Sequence, residues 1–144
     1  MRIYVVITGD LFHYGHVAFL KRAKTFGTEL IVGVCSDAEV SKYKRKPIMS
    51  LSERISVIAA CKYVNQVIPA APPITSASFI EKHDIDLVVA TKAYSSAILE
   101  QYYGDPLKLE ILKLVDYTDN ISTTKIIKRC YDLYTKTDGK LGKF

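Results

Sequence analysis

The 144-residue sequence has no tryptophan and only three cysteines, Cys35, Cys61 and Cys130. An odd number of cysteines without paired spacing does not form a disulfide framework, so it favours a reducing compartment. No apolar run approaches the roughly 18–20 residues that a membrane-spanning helix needs. The first residues enter an apolar strand directly, without the pattern of a signal peptide. We therefore expect a cytoplasmic protein that does not interact with a membrane.

Common nucleotide and metal signatures are also missing. The chain contains neither the GxGxxG of dinucleotide-binding folds nor a Walker A sequence. His13 and His16 could form half of a zinc site, but the third histidine, His83, lies far along the chain. We therefore predict no metal ligands among the side chains.

The chain carries 20 Lys and Arg against 15 Asp and Glu, a net charge of +5. These basic residues do not form one long block, so the excess favours a small polyanionic substrate over nucleic acid. Hydrophobic residues make up 49% of the chain, which suits one domain with its own core. We predict a catalytic domain over 1–135 and a loose C-terminal tail over 136–144.

Apolar strand-like runs alternate with amphipathic helical segments along the whole chain. The alternation predicts an α/β fold, a single Rossmann-like domain with a five-stranded parallel sheet and helices on both faces. Ser50 and Glu53 have the spacing of a capping box at the start of one helix. The predicted strands cover 3–7, 29–35, 66–68, 86–90 and 110–115, and the later helices cover 37–42, 50–63, 76–83, 95–103 and 122–134.

The polar turn after the first strand contains two histidines, His13 and His16, where a helix begins. Free N–H groups and the helix dipole favour anions at such a position, phosphate above all. Histidines there can add hydrogen-bond donors, or positive charge when protonated. Gly15 between them allows close approach of the backbone to a phosphate. The residues alone leave open a phosphate-handling site or a structural histidine pair.

The segment Asp10-Leu11-Phe12-His13-Tyr14-Gly15-His16 resembles the HxGH signature of the nucleotidyltransferase superfamily of cytidylyltransferases. Segments 49–54 and 121–127 resemble further parts of it in the same order. The choline-phosphate, ethanolamine-phosphate and glycerol-3-phosphate cytidylyltransferases are the most similar. The resemblance implies an enzyme that joins CTP to a phosphorylated small alcohol and releases pyrophosphate. It also implies Mg²⁺ as cofactor and a homodimer.

The resemblance assigns roles to particular residues. The catalytic set is His13, His16 and one lysine of the basic loop, Lys44 or Lys46, between which spacing does not choose. Tyr117 stands where the family carries an arginine, and Ile7 where it carries a glycine. The implied nucleotide-binding residues are Thr8, Gly9, Asp10, Gly15, Arg54, Ile121, Ser122, Thr123 and Thr124.

The implied acceptor-binding residues are Thr91, Lys92 and Tyr94. Choline-phosphate relatives have an aromatic residue where this chain has Pro73, and acidic residues where it has Thr91 and Lys92. We therefore expect glycerol 3-phosphate or a hydroxyalkylphosphonate as acceptor, and not a quaternary amine. The alternatives are a phosphocholine or phosphoethanolamine cytidylyltransferase, an adenylyltransferase of the same superfamily, and an inactive nucleotide-binding domain.

Overall fold

The computed structural model describes residues 1–137, and the end of the predicted tail, 138–144, lies outside the described residues. Strands and helices alternate along the chain, as the apolar pattern predicts. The elements are β1 (Arg2–Ile7), α1 (Tyr14–Lys24), β2 (Glu29–Val34), α2 (Asp37–Ser41), α3 (Leu51–Ala59), β3 (Gln66–Pro69), α4 (Ala77–Lys82), β4 (Leu87–Thr91), α5 (Ser96–Lys108), β5 (Leu112–Val115) and α6 (Thr123–Lys136).

The five strands form one sheet in the order β3-β2-β1-β4-β5, and every pair is parallel. The strand order reverses between β1 and β4, because the chain first builds outward from β1 through β2 to β3. In open α/β sheets, ligands bind outside the carboxyl ends of the strands at such a switch point. The predicted single α/β domain with a parallel five-stranded sheet is confirmed.

Each face of the sheet has its own apolar core, because alternate strand residues point to opposite faces. On the α1–α3 face, Ile3 and Val5 of β1 pack with Leu20 of α1 and Ile58 of α3. On the opposite, α4–α5 face, Tyr4 packs with residues of α4 and α5 that include Ile80 and Tyr103. The predicted cover of helices on both faces is therefore correct.

Several predicted boundaries differ from the structure. Helix α3 ends at Ala59, not at Tyr63, and Ala59 is exposed while Arg54 is buried on the inner side. Helix α6 continues to Lys136, two residues beyond the predicted end. The predicted capping box is present: Ser50 Oγ accepts from the Glu53 N–H at 3.3 Å, and Glu53 Oε2 accepts from the Ser50 N–H at 2.8 Å.

The region around Gly104-Asp105-Pro106 was predicted to end a helix, and it interrupts one instead. The backbone leaves the helical region at Tyr103 (φ −128°, ψ 23°), and helical turns then resume to Lys108. Pro106 is tolerated because its missing N–H falls in the first turn after the break, where no helical partner exists. Glu110 has a φ of 58°, so the last strand starts at Leu112 and not at Glu110.

Candidate active site

The turn between β1 and α1 depends on two left-handed residues, Gly9 (φ 69°) and Leu11 (φ 49°). A Cβ on Gly9 would lie 2.5 Å from Cδ1 of Ile58, so glycine is required by both conformation and space. This turn brings the chain back over the end of the sheet and positions His13 at the beginning of α1.

The two histidines cap helix α1 reciprocally. His13 Nδ1 accepts a hydrogen bond from the Gly15 N–H at 3.0 Å, and His16 Nδ1 accepts one from the His13 N–H at 3.1 Å. Their ring centroids are 3.9 Å apart. Because both Nδ1 atoms accept, the proton of each neutral ring lies on Nε2. The cap therefore creates two Nε2–H donors at a helix N-terminus.

Both imidazoles are held in the neutral form. The pKa of His16 is lowered to about 4, chiefly by burial and then by the neighbouring His13 and Lys44, against the opposing effect of Asp10. Burial also lowers the pKa of His13. These shifts favour the neutral rings, in which each Nε2–H is a hydrogen-bond donor.

Asp10 anchors the basic loop. Its carboxylate is 3% exposed and accepts from the N–H groups of Ile48 and Met49, both at 2.9 Å, and from Arg45 Nη1 at 3.0 Å. Burial raises the pKa of the Asp10 carboxyl, but these hydrogen bonds outweigh it and the net shift is downward. Both oxygens are thus occupied by the loop, and a nucleotide contact through Asp10 stays a prediction.

Arg54 is buried at 0% exposure and joins four chain segments. Its guanidinium donates to the carbonyl oxygens of Thr8 (2.5 Å), Cys35 (3.0 Å) and Met49 (3.2 Å), and to Asp37 Oδ1 (2.5 Å). Its ion-pair partner is therefore Asp37. Arg54 fixes the ends of β1 and β2 below the site.

The structure distinguishes the two lysines of the basic loop. The ammonium group of Lys44 lies close enough to lower the pKa of His16, and its Nζ is 5.7 Å from the ring centroid of Tyr43. Both lysines are exposed, and the carbonyl oxygen of Lys46 accepts from Arg45 at 3.0 Å. The sequence did not reveal that Arg45 anchors the loop to Asp10. Nothing in the run of basic residues distinguishes Arg45 from the neighbouring lysines.

The start of α6 lies against the start of α1. Thr123 Oγ1 donates to the Asp10 carbonyl oxygen at 3.0 Å and is 3.5 Å from His13 Nε2. Ser122 caps α6 by accepting from the Lys125 N–H at 3.1 Å. The hydroxyl-bearing residue Thr124 is exposed. The two helix N-termini therefore converge beside the histidine pair.

Gly15 is required by this convergence. A Cβ there would lie 2.9 Å from His13 Cε1 and 3.1 Å from Cγ2 of Ile121. The preceding loop turns at Asn120, whose φ of 69° is the left-handed conformation expected for an asparagine in place of glycine. Near Tyr117, Arg22 Nη1 donates to Thr118 Oγ1 at 2.9 Å, so a cation does contact this loop.

The predicted acceptor residues lie at the end of β4, which contains Thr91, and in the loop after it, which contains Lys92 and Tyr94. Lys92 Nζ pairs with Asp116 Oδ1 at 2.8 Å, and this hydrogen bond lowers the pKa of Asp116. Thr91 Oγ1 accepts from the Ala93 N–H at 3.2 Å. Tyr94 stacks on Tyr103 with ring centroids 6.2 Å apart. Lys92 is therefore paired, which weakens the expectation that it repels an ammonium headgroup.

The side chains of residues 1–137 do not form a metal-binding site by themselves. In the part of the chain that the structure describes, no three His, Cys, Asp or Glu residues are grouped as metal ligands. The buried carboxylate of the histidine turn, Asp10, already accepts hydrogen bonds from Arg45, Ile48 and Met49. The residues therefore do not fit a protein-held Mg²⁺. No helix within 1–137 is long and apolar enough to cross a bilayer.

Curated relatives align with nearly the whole chain. It is 37% identical over 147 residues to an ethanolamine-phosphate cytidylyltransferase of Arabidopsis thaliana, covering 96% of this chain and 35% of that protein. It is 34% identical over 148 residues to human choline-phosphate cytidylyltransferase A, covering 99% of this chain and 40% of that protein. The chain thus spans well under half the length of these relatives.

Solved structures share the fold. A lipopolysaccharide core biosynthesis protein from Thermoplasma volcanium has a TM-score of 0.64 at 24% identity, covering 82% of this chain and 96% of that one. A pantothenate synthetase from Thermus thermophilus has a TM-score of 0.53 at 12% identity, covering 80% of this chain and 54% of that one. Residues 8–129 match the family model described as cytidylyltransferase-like, so the chain belongs to that family.

Proposed function

We propose that this domain transfers CMP from CTP to the phosphate or phosphonate of a small alcohol and releases pyrophosphate. One observation carries the proposal. The N-termini of α1 and α6 meet at the carboxyl edge of β1, with His13 Nε2 only 3.5 Å from Thr123 Oγ1. Free N–H groups, two dipole ends and two imidazole donors suit a triphosphate.

The chemistry needs no protein base. The phosphate of the acceptor is ionised at neutral pH, so its oxygen attacks the α-phosphorus of CTP directly. The new P–O bond forms as the bond to the bridging oxygen of the β-phosphate breaks, and that oxygen leaves with pyrophosphate. His13 and His16 donate Nε2–H to oxygens that gain charge in the transition state, the step at which such donors accelerate transfer.

Lys44, in preference to Lys46, is the loop lysine that contacts the phosphates. It lies within electrostatic range of His16, and the loop that carries it is fixed by the three hydrogen bonds to Asp10. The loop is therefore ordered before substrate arrives, which lowers the entropic cost of closing a cation over the triphosphate. Mg²⁺, when present, would accompany the triphosphate and would neutralise part of its charge, while His13, His16 and Lys44 supply the protein's own contacts.

For the nucleotide, the relatives named above are both cytidylyltransferases, which supports CTP over ATP. For the acceptor, the favoured class is glycerol 3-phosphate or a hydroxyalkylphosphonate. The second candidate is phosphoethanolamine or phosphocholine. It is supported by the names of these relatives and by the Lys92–Asp116 pair, which removes a free positive charge from the acceptor side.

The test is pyrophosphate release from each nucleoside triphosphate with Mg²⁺ and a panel of acceptors: glycerol 3-phosphate, 2-hydroxyethylphosphonate, phosphoethanolamine and phosphocholine. We expect turnover with CTP only. Preference for ATP would assign the chain to the adenylyltransferases, and release from no combination would favour an inactive binding domain. Tight, salt-dependent DNA binding would contradict a small-molecule substrate.

We also propose that the protein acts as a cytoplasmic homodimer. The family resemblance supports the dimer, and three cysteines without paired spacing support a reducing compartment. Sedimentation at several protein concentrations would measure the oligomeric state.

A further inference from the structure

The ring of His16 is stacked on a second aromatic side chain, that of Phe12. The two rings are nearly parallel, with an interplanar angle of 7° and ring centroids 5.4 Å apart. An offset parallel stack is one of the arrangements that aromatic pairs prefer. The contact therefore places an apolar ring directly against one of the two imidazole donors of the site.

The hydrogen bond of the helix cap leaves one freedom of the His16 ring. The N–H of His13 donates to Nδ1 of His16 at 3.1 Å, and this bond fixes one edge of the ring. Rotation of the ring plane about that bond would still move Nε2, the nitrogen on the other side of the ring. A parallel ring opposes the rotation, because tilting would lose the contact area of the stack. The stack on Phe12 is therefore the contact that opposes movement of Nε2.

Phe12 is itself held by the turn that precedes it and by the core below it. Its ring packs against the apolar core of the α1–α3 face. The preceding residue, Leu11, has a φ of 49°, a conformation that residues other than glycine rarely adopt. Such backbone strain persists only where the surrounding structure enforces it, and it is concentrated at functional sites. The strained turn and the core together give Phe12 a fixed position beside His16.

We infer that Phe12 is a positioning residue, whose ring aligns the Nε2–H of His16 with the oxygens that gain charge during phosphoryl transfer. The inference rests on the proposed function, and Phe12 acts only through His16. A misdirected donor loses stabilisation of the transition state more than binding of the ground state. Loss of the Phe12 ring should therefore lower kcat and leave the KM for CTP nearly unchanged.

The first experiment compares Phe12→Leu with Phe12→Tyr. Leucine keeps an apolar side chain without a flat ring, whereas tyrosine keeps the ring and can direct its hydroxyl into the surface groove that Phe12 borders with Val17 and Val57. We expect Phe12→Leu to lower kcat by about 5- to 20-fold, with the KM for CTP within about 2-fold. Phe12→Tyr should keep both constants within about 2-fold. An unchanged kcat in Phe12→Leu, or an equal loss in both variants, would overturn the inference.

Phe26→Leu is the matched control for a loss of core packing. Phe26 is a half-buried phenylalanine that packs on the same core, beyond the far end of α1 from the histidines. Both leucine variants should lower Tm, because each removes part of a buried ring. Only Phe12→Leu should lower kcat. An equal fall of kcat in Phe26→Leu would assign the effect to general loosening of the core and would overturn the inference.

A second measurement does not depend on turnover. Long-range ¹H–¹⁵N NMR at about pH 8, where histidine is neutral, reports which ring nitrogen of His16 carries the proton. We expect the Nε2–H tautomer in the wild type and in Phe12→Tyr. Phe12→Leu should show shifts averaged toward a mixture of tautomers, because the ring can leave its bond to the His13 N–H.

This spectrum separates the two proposals. If the wild type releases no pyrophosphate with any substrate pair, the proposed function fails, and the spectrum alone decides whether Phe12 orients His16. A mixture of tautomers in Phe12→Leu alone supports the orienting role. An unchanged His16 tautomer in Phe12→Leu, or a mixture already present in the wild type, overturns it.

Discussion

The two sides of β1 differ in whether their polar groups are hydrogen-bonded within the protein. On the α1–α3 side, the Nδ1 atoms of both histidines, the Asp10 carboxylate and the Arg54 guanidinium are all bonded within the protein. On the α4–α5 side, the Tyr4 hydroxyl is buried without such a bond among the described residues. The first side is rigid before any ligand arrives. The second side depends on apolar packing and leaves hydrogen-bonding capacity unused among the described residues.

Removing a histidine should produce the largest effect, because it breaks the preorganised side. We expect His16→Ala to lower kcat by about 10²–10⁴-fold, as for a lost transition-state donor. It should also lower stability by about 0.5–2 kcal/mol, because His16 caps α1. Pyrophosphate release and thermal unfolding measure the two. His83→Ala, whose ring packs on Phe79 at 4.5 Å, is the control. Near wild-type turnover in His16→Ala would contradict a catalytic role for His16.

Replacing Arg54 should have the next largest effect, on stability. Arg54→Met leaves Asp37 and three carbonyl oxygens without their donor. We expect the free energy of unfolding to fall by about 3–5 kcal/mol, typical for breaking a buried ion pair. Urea unfolding measures it. Arg22→Met, which removes two hydrogen bonds to the loop before α6, should cost less. Equal losses in the two variants would contradict the role given to Arg54.

Lowering the pH should reduce the stability of the folded protein, because His16 is held in the neutral form. The pKa of His16 is about 4 in the folded protein and near 6.5 when unfolded. Between these values the unfolded chain binds more protons, so stability falls as pH decreases from about 6.5 to about 4. The slope should approach, at most, about 1.4 kcal/mol per pH unit for one proton. His16→Asn, which keeps a capping acceptor, should show a shallower slope in unfolding measured against pH.

Replacing the two loop lysines one at a time should produce the smallest of these effects. Lys44→Ala should raise the KM for CTP or lower kcat by about 10-fold, since one charge-assisted phosphate contact is lost. Lys46→Ala should change either by less than about 2-fold. The two variants remove the same charge from the same loop. Any difference between their steady-state constants therefore reports the position of the lysine. A larger effect from Lys46→Ala would reverse the assignment.

The parts of the site that local sequence patterns could predict are those built from neighbours in the chain. The histidine pair, Gly15 and the hydroxyls at the start of α6 were recognisable because the residues of each motif are neighbours in the chain. The same holds for the strands, whose apolar runs are continuous. The contacts of His13 and Gly15 with the start of α6 were not recognisable, because they join distant parts of the sequence. Arg54 was assigned to nucleotide by resemblance, and its dense set of protein bonds was missed because Thr8 is 46 residues away.

The α4–α5 side was the hardest to predict for the same physical reason. Tyr4 lies in an ordinary apolar strand, and nothing near it in sequence indicates that its hydroxyl lacks a partner. The break at Tyr103 was read as a helix end because glycine and proline follow it, whereas tertiary packing buries that tyrosine and the helix resumes. Lys92 was assigned to the acceptor by resemblance, and its pairing with Asp116 was missed because Asp116 follows a different strand.

The bond from Thr123 to Asp10 spans 113 residues and has a consequence for the order of folding. The contacts of Asp10 and Arg54 with the basic loop close shorter segments, within the first 54 residues. Long loops close at a greater entropic cost, so contacts of long separation tend to form late. We therefore expect the half-site of β1, α1, β2 and α3 to form early. Docking of α6 then comes late, and the anion site is completed only when nearly the whole domain has folded.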